Sequence, residues 1–304
     1  MAKQPATIIE RLSVPRVWPP KTDGVRQPPW LWPHLLGLDA PVVALVWQDW
    51  WSRCAHVPLR PGERFVLGLG VWLIYLADRV ADVTRDRPEE AGTARHAFAA
   101  ARRRPLFSLG LALAACLVVL APCVLPQGEF WSGLGLLGAV GTYFWLIHRG
   151  AVPGWTRWFP KEAVVGGMFA LGTAFFAGWR SASAPGPLLT GSVLFGAVCF
   201  LNCALITAWE RSLRDRRDPG SLLNAFPRLV NGGLAPLCGL TALLALAAAL
   251  AGNTFLPLPI ALAAVALAGL DRWQRALPAD GLRCLADAVL LTPLVCGLFF
   301  GVYQ

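Results

Sequence analysis

Along the chain, long apolar runs alternate with short stretches rich in arginine and aspartate. Nine such runs stand out, at about 33–52, 64–82, 106–125, 129–148, 161–179, 187–208, 229–251, 255–270 and 283–303. Each is near the ~20 residues that carry a helix across a bilayer. None shows the strict apolar–polar alternation of a membrane barrel strand, so helices are predicted throughout. The eighth run is short and holds Pro257 and Pro259. The expected fold is all-α: a polytopic membrane bundle of about nine transmembrane helices over residues 32–304, preceded by a polar arm, 1–31. That arm carries Lys3, Arg11, Arg16, Lys21 and Arg26 among prolines and has no apolar segment of the signal-peptide kind.

Composition places these helices in lipid. Hydrophobic residues make up 56% of the 304 and charged residues 15%, with a mean hydropathy of +0.52. Soluble domains carry about 25% charged residues, so the chain lacks the polar surface a soluble fold of its length requires. The net charge of +9 is spread unevenly. Arg85, Arg87, Arg95, Arg102, Arg103 and Arg104 follow the second run, and Arg149, Arg157 and Lys161 the fourth. Arg211, Arg214, Arg216, Arg217 and Arg228 follow the sixth, and Arg272, Arg275 and Arg283 the eighth. The opposite connections hold only Arg53, Arg60, Arg64 and Arg180. Positive loops stay cytoplasmic. A multi-pass position in a bacterial inner membrane is expected, with the N-terminus cytoplasmic and the C-terminus outside. Attraction to anionic lipid or to an anionic substrate is a second use of the same charge; the sequence carries no nucleic-acid module.

Other features read as architecture. Trp30, Trp32, Trp47, Trp50 and Trp51 surround the first run, Trp155 and Trp158 precede the fifth and Trp179 follows it, the placement of an interfacial aromatic belt. Gly166, Ala170, Ala174 and Gly178 recur every four residues, a small-residue ladder for close helix approach. The eight cysteines are scattered without C-x-x-C spacing, which favours structural thiols over a metal or redox site. Asp39 and Asp287 lie inside apolar runs, where a carboxylate faces a cavity or a partner. Acceptor binding and a hydrogen bond to a neighbouring helix are both open for them.

The acids carry the chemistry. Asp78, Asp82, Asp86, Glu89, Glu90, Glu210, Asp215, Asp218, Asp271 and Asp280, ten of the eighteen, lie after even-numbered runs or at the helix ends feeding those connections. Asp78, Asp82 and Asp86 stand four apart, which on a helix puts them on one stripe where they repel unless a cation sits among them. A solvated charge ladder, paired with Arg79 and Arg85, is the plainer reading of the same spacing. Against it, Asp78 sits close to the apolar core. Clustered carboxylates with few histidines suit Mg²⁺, which takes oxygen ligands and shares them with substrate phosphates. Neighbouring arginines suit the same phosphate oxygens. Two acidic clusters on one membrane face, with basic residues between, describe a clamp for a lipid diphosphate.

The nine-run layout, with acidic motifs after the second and sixth runs, resembles the UbiA superfamily of membrane-embedded prenyltransferases. The first motif of that family is Asn-Asp-x-x-Asp-x-x-x-Asp, and residues 74–82 read IYLADRVAD. Asp78, Arg79 and Asp82 match its last two aspartates and a frequent arginine, while Ile74 and Tyr75 replace the Asn and first Asp. TYFWLIHRG (142–150) and the stretch led by Lys161 are similar to a Tyr…Lys/Arg element and a Lys-led fifth helix, which singles out Tyr143, Arg149 and Lys161. The family's Asp-x-x-x-Asp falls at NCALITAWERSLRDRRDPGS (202–221). Glu210 stands for its first Asp, and either Arg214, in register, or Asp215, one residue late, for its second.

The resemblance implies a transferase that moves a prenyl group from a prenyl diphosphate to a lipophilic, typically aromatic, acceptor in the membrane. It implies Mg²⁺ as cofactor, with Asp78 and Asp82 catalytic, Asp78, Asp82, Glu210 and Asp215 as metal ligands, and Arg79, Tyr143, Arg149 and Lys161 on the substrate. Tyr75, Tyr143, Phe144, Trp145 and Trp209 are placed either to face an allylic cation or to pack at the interface. The motif departures leave two outcomes open: Asp86, Asp215 and Asp218 compensate, or the chemistry is altered or lost. A prenyl-lipid-binding protein without turnover is one alternative. A transporter is another, which the gathering of acids at one face disfavours.

Overall fold

The computed structural model describes residues 28–85, 93–149, 160–181, 185–210, 221–222, 226–230, 232–252 and 254–300, and every regular element among them is helical. A 3₁₀ turn, Pro29–Leu31, leads into α1 (Trp32–Leu36) and α2 (Asp39–Cys54), which meet at a 77° bend. Then come α3 (Pro61–Arg85), α4 (Ala94–Ala101), α5 (Arg103–Val124), α6 (Gln127–Arg149), α7 (Lys161–Arg180) and α8 (Pro185–Glu210). After α9 (Pro227–Val230) follow α10 (Leu234–Gly252), α11 (Leu258–Trp273), α12 (Ala279–Val289) and α13 (Thr292–Phe300). The polar arm lies outside the described residues up to 27.

Four helices, α5, α7, α10 and residues 186–210 of α8, are long and apolar enough to cross a membrane, and six spans result if each bent pair, α1–α2 and α12–α13, counts as one. The expected count of about nine is thus met only in its coarser form, a helical bundle with several membrane-length helices. The shortfall has causes in the chain. α3 carries Glu63 and Arg64 at one end and Asp78, Arg79 and Asp82 at the other, and α11 has only 16 residues.

The bend between α1 and α2 follows from Gly37, whose φ of +70° lies in the left-handed region that glycine enters without penalty. Gly37 N–H donates to the His34 carbonyl and Leu38 N–H to the Pro33 carbonyl, closing α1. A side chain at Gly37 would also meet the Arg79 guanidinium at 3.3 Å.

The main core lies where α2, α7, α8, α10, α11 and α12 converge. Here the structure corrects the aromatic-belt expectation for Trp47, Trp50 and Trp51. All three are fully buried, and each indole N–H donates across to another segment: Trp47 to the Leu290 carbonyl at 2.7 Å, Trp50 to the Leu256 carbonyl at 3.0 Å, Trp51 to Thr173 Oγ1 at 3.2 Å. Trp47 stacks on Phe195 with ring centroids 3.8 Å apart. One turn of α2 therefore presents large rings inward and satisfies their polar handles. Trp30, Trp32 and Trp179 are exposed, as an interfacial belt requires.

The small-residue ladder packs α7 against α8 over most of its length. A Cβ at Gly166 would stand 2.5 Å from the Phe200 backbone nitrogen and 3.0 Å from the Gly196 carbonyl, and Ala170 and Ala174 are buried in the same seam. Gly178 meets nothing within 4 Å and lies beyond it. Because the obstacle at Gly166 is backbone, Gly166→Ala is expected to push the two helices apart and cost about 1–3 kcal/mol, read as a lowered Tm in detergent. Gly178→Ala, the matched control, should leave Tm unchanged.

At the opposite end of the bundle from α3's aspartates, buried acids tie three helices together. Arg180 Nη2, closing α7, donates to Glu63 Oε2 of α3 at 2.6 Å, and its Nε lies 3.8 Å from Glu129 Oε1 of α6. Arg60 flanks both carboxylates at 3.8 and 3.9 Å. The same end of α6 touches α7 through Gly128 against Trp179 and Gly133 against Phe175. Further along α6, Cβ positions at Gly135, Gly138 and Gly141 meet nothing within 4 Å. This helix is anchored at its start, and beyond it the face that carries these three glycines is exposed.

Candidate functional site

Between α3, α5, α6, α7 and α8 lies a cavity of about 600 Å³. Most of its wall is apolar: Val66, Leu67 and Val71 from α3, Leu117 and Val118 from α5, Leu134, Leu137 and Val140 from α6, Met168, Phe175 and Phe176 from α7. Polar groups gather at one end because successive helices run in opposite senses. The late turns of α3 (Tyr75, Asp78, Asp82) and α8 (Asn202, Thr207, Glu210) meet the first turn of α7 (Lys161, Glu162) and the end of α6 (Tyr143) there. His34, Arg95, Ser221, Arg283 and Asp287 complete that end.

Asp78, Asp82, Glu210, Tyr143 and Lys161, singled out in the sequence, thus line one cavity. Asp78 and Asp82 are one turn apart on α3 with side chains 30% and 23% exposed. Lys161 Nζ stands 3.6 Å from Asp78 Oδ1, and His96 Nε2 stands 3.9 Å from Asp82 Oδ2, with Nδ1 of the same ring 2.8 Å from Thr93 Oγ1. Glu210 Oε1 accepts from Arg283 Nη1 at 2.6 Å. Arg95 is buried on α4; burial holds its guanidinium below the ordinary value, Arg283 adds to that, and Glu210, Asp82 and Asp78 oppose it.

Arg79 is placed differently from the expectation. It is buried at 3% exposure and is not among the residues lining the cavity. Its guanidinium donates to the carbonyls of His34, at 2.6 Å, and Leu35. One position along a helix is a rotation of about 100°, so the residue after Asp78 turns away from whatever Asp78 faces. Arg79 caps α1, whose last carbonyls have no helical partner. Asp86, Arg214, Asp215 and Asp218 lie outside the described residues, as does the side chain of Arg149, the last residue of α6. The second family-like motif is therefore represented here by Glu210 alone.

Several residues of the polar end were not singled out in the sequence. Glu162, next to Lys161, is buried and accepts from Ser221 Oγ at 2.7 Å and from Leu222 N–H at 2.9 Å. It holds the chain beyond α8 against the start of α7. Arg95 and Arg283 read as loop charges, and only tertiary packing turns them inward. Asp39 and Asp287 prove to be neighbours through His34, whose Nδ1 is 2.6 Å from Asp39 Oδ2 and 3.7 Å from Asp287 Oδ2. The single available signal was two carboxylates placed inside apolar runs.

No family model, curated protein or solved structure matches the chain.

Proposed function

We propose that the chain is a membrane-embedded transferase that takes a prenyl group from a prenyl diphosphate to a lipophilic acceptor. The observation that carries this reading is the two-part cavity: a long apolar body ending in Asp78, Asp82, Lys161 and Tyr143. Such a shape suits a ligand with a hydrocarbon tail and a multiply charged head. The reading includes nine membrane crossings, with the polar end of the cavity on the cytoplasmic side.

The residues fit Mg²⁺ in part. Asp78 and Asp82 offer hard oxygen donors on one face of α3, and one or two carboxylates plus phosphate oxygens are the usual holding set. Glu210, bonded to Arg283, is committed elsewhere and fits less well. When bound, the ion would neutralise charge on the departing diphosphate. Lys161 and Arg95 are placed to take outer phosphate oxygens. The apolar wall keeps water from the allylic centre, and the rings of Tyr143, Phe144 and Phe169 offer it π faces. In the transfer, the allylic C–O bond breaks with its electron pair leaving on the diphosphate. The acceptor bonds to the allylic carbon and loses a proton, which the departing diphosphate takes up.

The ion pairs Asp78–Lys161 and Glu210–Arg283 support a second reading, prenyl-lipid binding without turnover, because they satisfy the acids internally. The purified chain in nanodiscs, given Mg²⁺, aromatic acceptors and radiolabelled prenyl diphosphates of several lengths, separates the two. Mg²⁺-dependent release of diphosphate with label moving to the acceptor is the expected result. Saturable binding with no release would establish the second reading, and absence of binding would remove both.

A further inference from the structure

At the inner margin of the cavity, the bend between α1 and α2 and the distant α12 bring one imidazole and two carboxylates together. His34 comes from α1, Asp39 from the first turn of α2 and Asp287 from α12, and one donor atom from each lies within 4.8 Å of the others. We propose that this cluster binds a divalent transition metal, Zn²⁺ or Mn²⁺, at a site separate from Asp78 and Asp82 and independent of the prenyl-transfer reading.

The arrangement of the carboxylate oxygens points to a metal. In each aspartate one oxygen is held from outside and the other faces His34. Asp39 Oδ1 accepts from Ala40 N–H at 3.0 Å while Oδ2 meets the imidazole at 2.6 Å. Asp287 Oδ1 accepts from Asn202 Nδ2 at 3.3 Å while Oδ2 stands 3.7 Å from the same Nδ1. Metal-ligating carboxylates are oriented by such outer donors. Asn202 is 5% exposed, and its Oδ1 has no partner among the described residues, which leaves one more oxygen donor beside the cluster.

Electrostatics argue the same way. Two carboxylates this close repel unless a proton or a cation lies between them. Arg79 and Arg283 stand nearby but direct their hydrogen bonds elsewhere, to α1 carbonyls and to Glu210. A divalent ion with neutral His34 would balance the pair, displacing the proton shared with Nδ1. Donor atoms around a tetrahedral ion with bonds of about 2.1 Å stand roughly 3.4 Å apart. The observed 2.6 and 3.7 Å straddle that separation, so His34 needs only a small shift relative to each carboxylate. An imidazole among the donors favours Zn²⁺ over Mg²⁺, and the two carboxylates suit Mn²⁺ as well. The cavity, lined by His34, Asn202 and Asp287, supplies the route in.

The test strips the full chain in nanodiscs with chelator, dialyses it against Zn²⁺, Mn²⁺ or Mg²⁺, and counts metal per chain after desalting. One Zn²⁺ or Mn²⁺ per chain is expected, with Mg²⁺ not retained, and at least tenfold weaker retention in Asp39→Asn and Asp287→Asn. Asp49→Asn, in a surface pair away from this cavity, should bind as the parent does, and the imidazole signature described next keeps this result distinct from the fate of the diphosphate site. Pulsed EPR of the Mn²⁺-loaded parent chain gives an answer even where a variant fails to fold, since an imidazole ligand must produce a ¹⁴N coupling. That coupling should vanish in His34→Asn and persist in His96→Asn. A parent chain that retains no Zn²⁺ or Mn²⁺, or shows no ¹⁴N coupling, or variants that retain metal as the parent does, would overturn the site and leave a hydrogen-bonded cluster joining helices.

Discussion

Asp78→Ala and Asp82→Ala are each expected to weaken Mg²⁺-dependent binding of a non-hydrolysable prenyl diphosphate analogue by about 100-fold or more. Removing one carboxylate from a two-carboxylate Mg²⁺ site takes away a direct ligand, and about 3 kcal/mol corresponds to that factor. Both side chains reach the cavity at its polar end. Without Mg²⁺ the sign reverses at Asp78. Its loss removes a negative charge 3.6 Å from Lys161, so an anionic ligand should bind no worse, and binding to Lys161 should tighten. A solvated charge ladder predicts something else: small, similar losses, each under about 1 kcal/mol, regardless of Mg²⁺. Asp49→Ala is the control, since Asp49 pairs with Arg53 and Arg64 away from this cavity. Titrating each variant with and without Mg²⁺ decides the matter, and equal minor losses would remove the main support for a metal–diphosphate head site.

Arg180→Ala is expected to produce the largest loss of stability, about 3–5 kcal/mol. The side chain of Glu63 is fully buried and that of Glu129 is 4% exposed, so removing the cation between them leaves two carboxylates unbalanced in a low-dielectric setting. Arg60 does not replace it, being half exposed and 3.8–3.9 Å away. At roughly 2–4 °C per kcal/mol the fall in Tm should be about 10 °C. Adding Glu63→Gln and Glu129→Gln to Arg180→Met should recover much of the loss, because breaking a buried pair costs more than replacing it. A fall of 1–2 °C, as for a surface pair, would show that water reaches these carboxylates.

Apolar runs made the helices legible in the sequence, since a stretch such as Leu234–Gly252 offers no other way to satisfy its backbone in lipid. The membrane-length count was less legible because α3 joins the bundle while carrying charge in its end turns. The four-residue register of Asp78 and Asp82 correctly grouped them on one face, and the same rule explains why Arg79 turns away. Tryptophan spacing misled for α2: a ring at a helix end reads identically whether it meets headgroups or a partner helix, and only tertiary packing sends Trp47, Trp50 and Trp51 inward. Asp39, Asp287 and His34 stayed unconnected because their contact depends on the left-handed turn at Gly37 and on α12 reaching back across the bundle.

On the proposed reading the cavity is bounded in part by α6, whose Gly135, Gly138 and Gly141 face outward, and this would set the number of dimensions in which a guest searches for it. On that reading a molecule with a long hydrocarbon chain, dissolved in the bilayer, would meet that wall sideways, without crossing water. Its occupancy then follows its mole fraction among the lipids and not its molarity in the buffer. Diluting vesicles with more buffer leaves saturation where it was, while adding plain lipid lowers it. An apparent affinity measured for such a guest carries units of mole per cent.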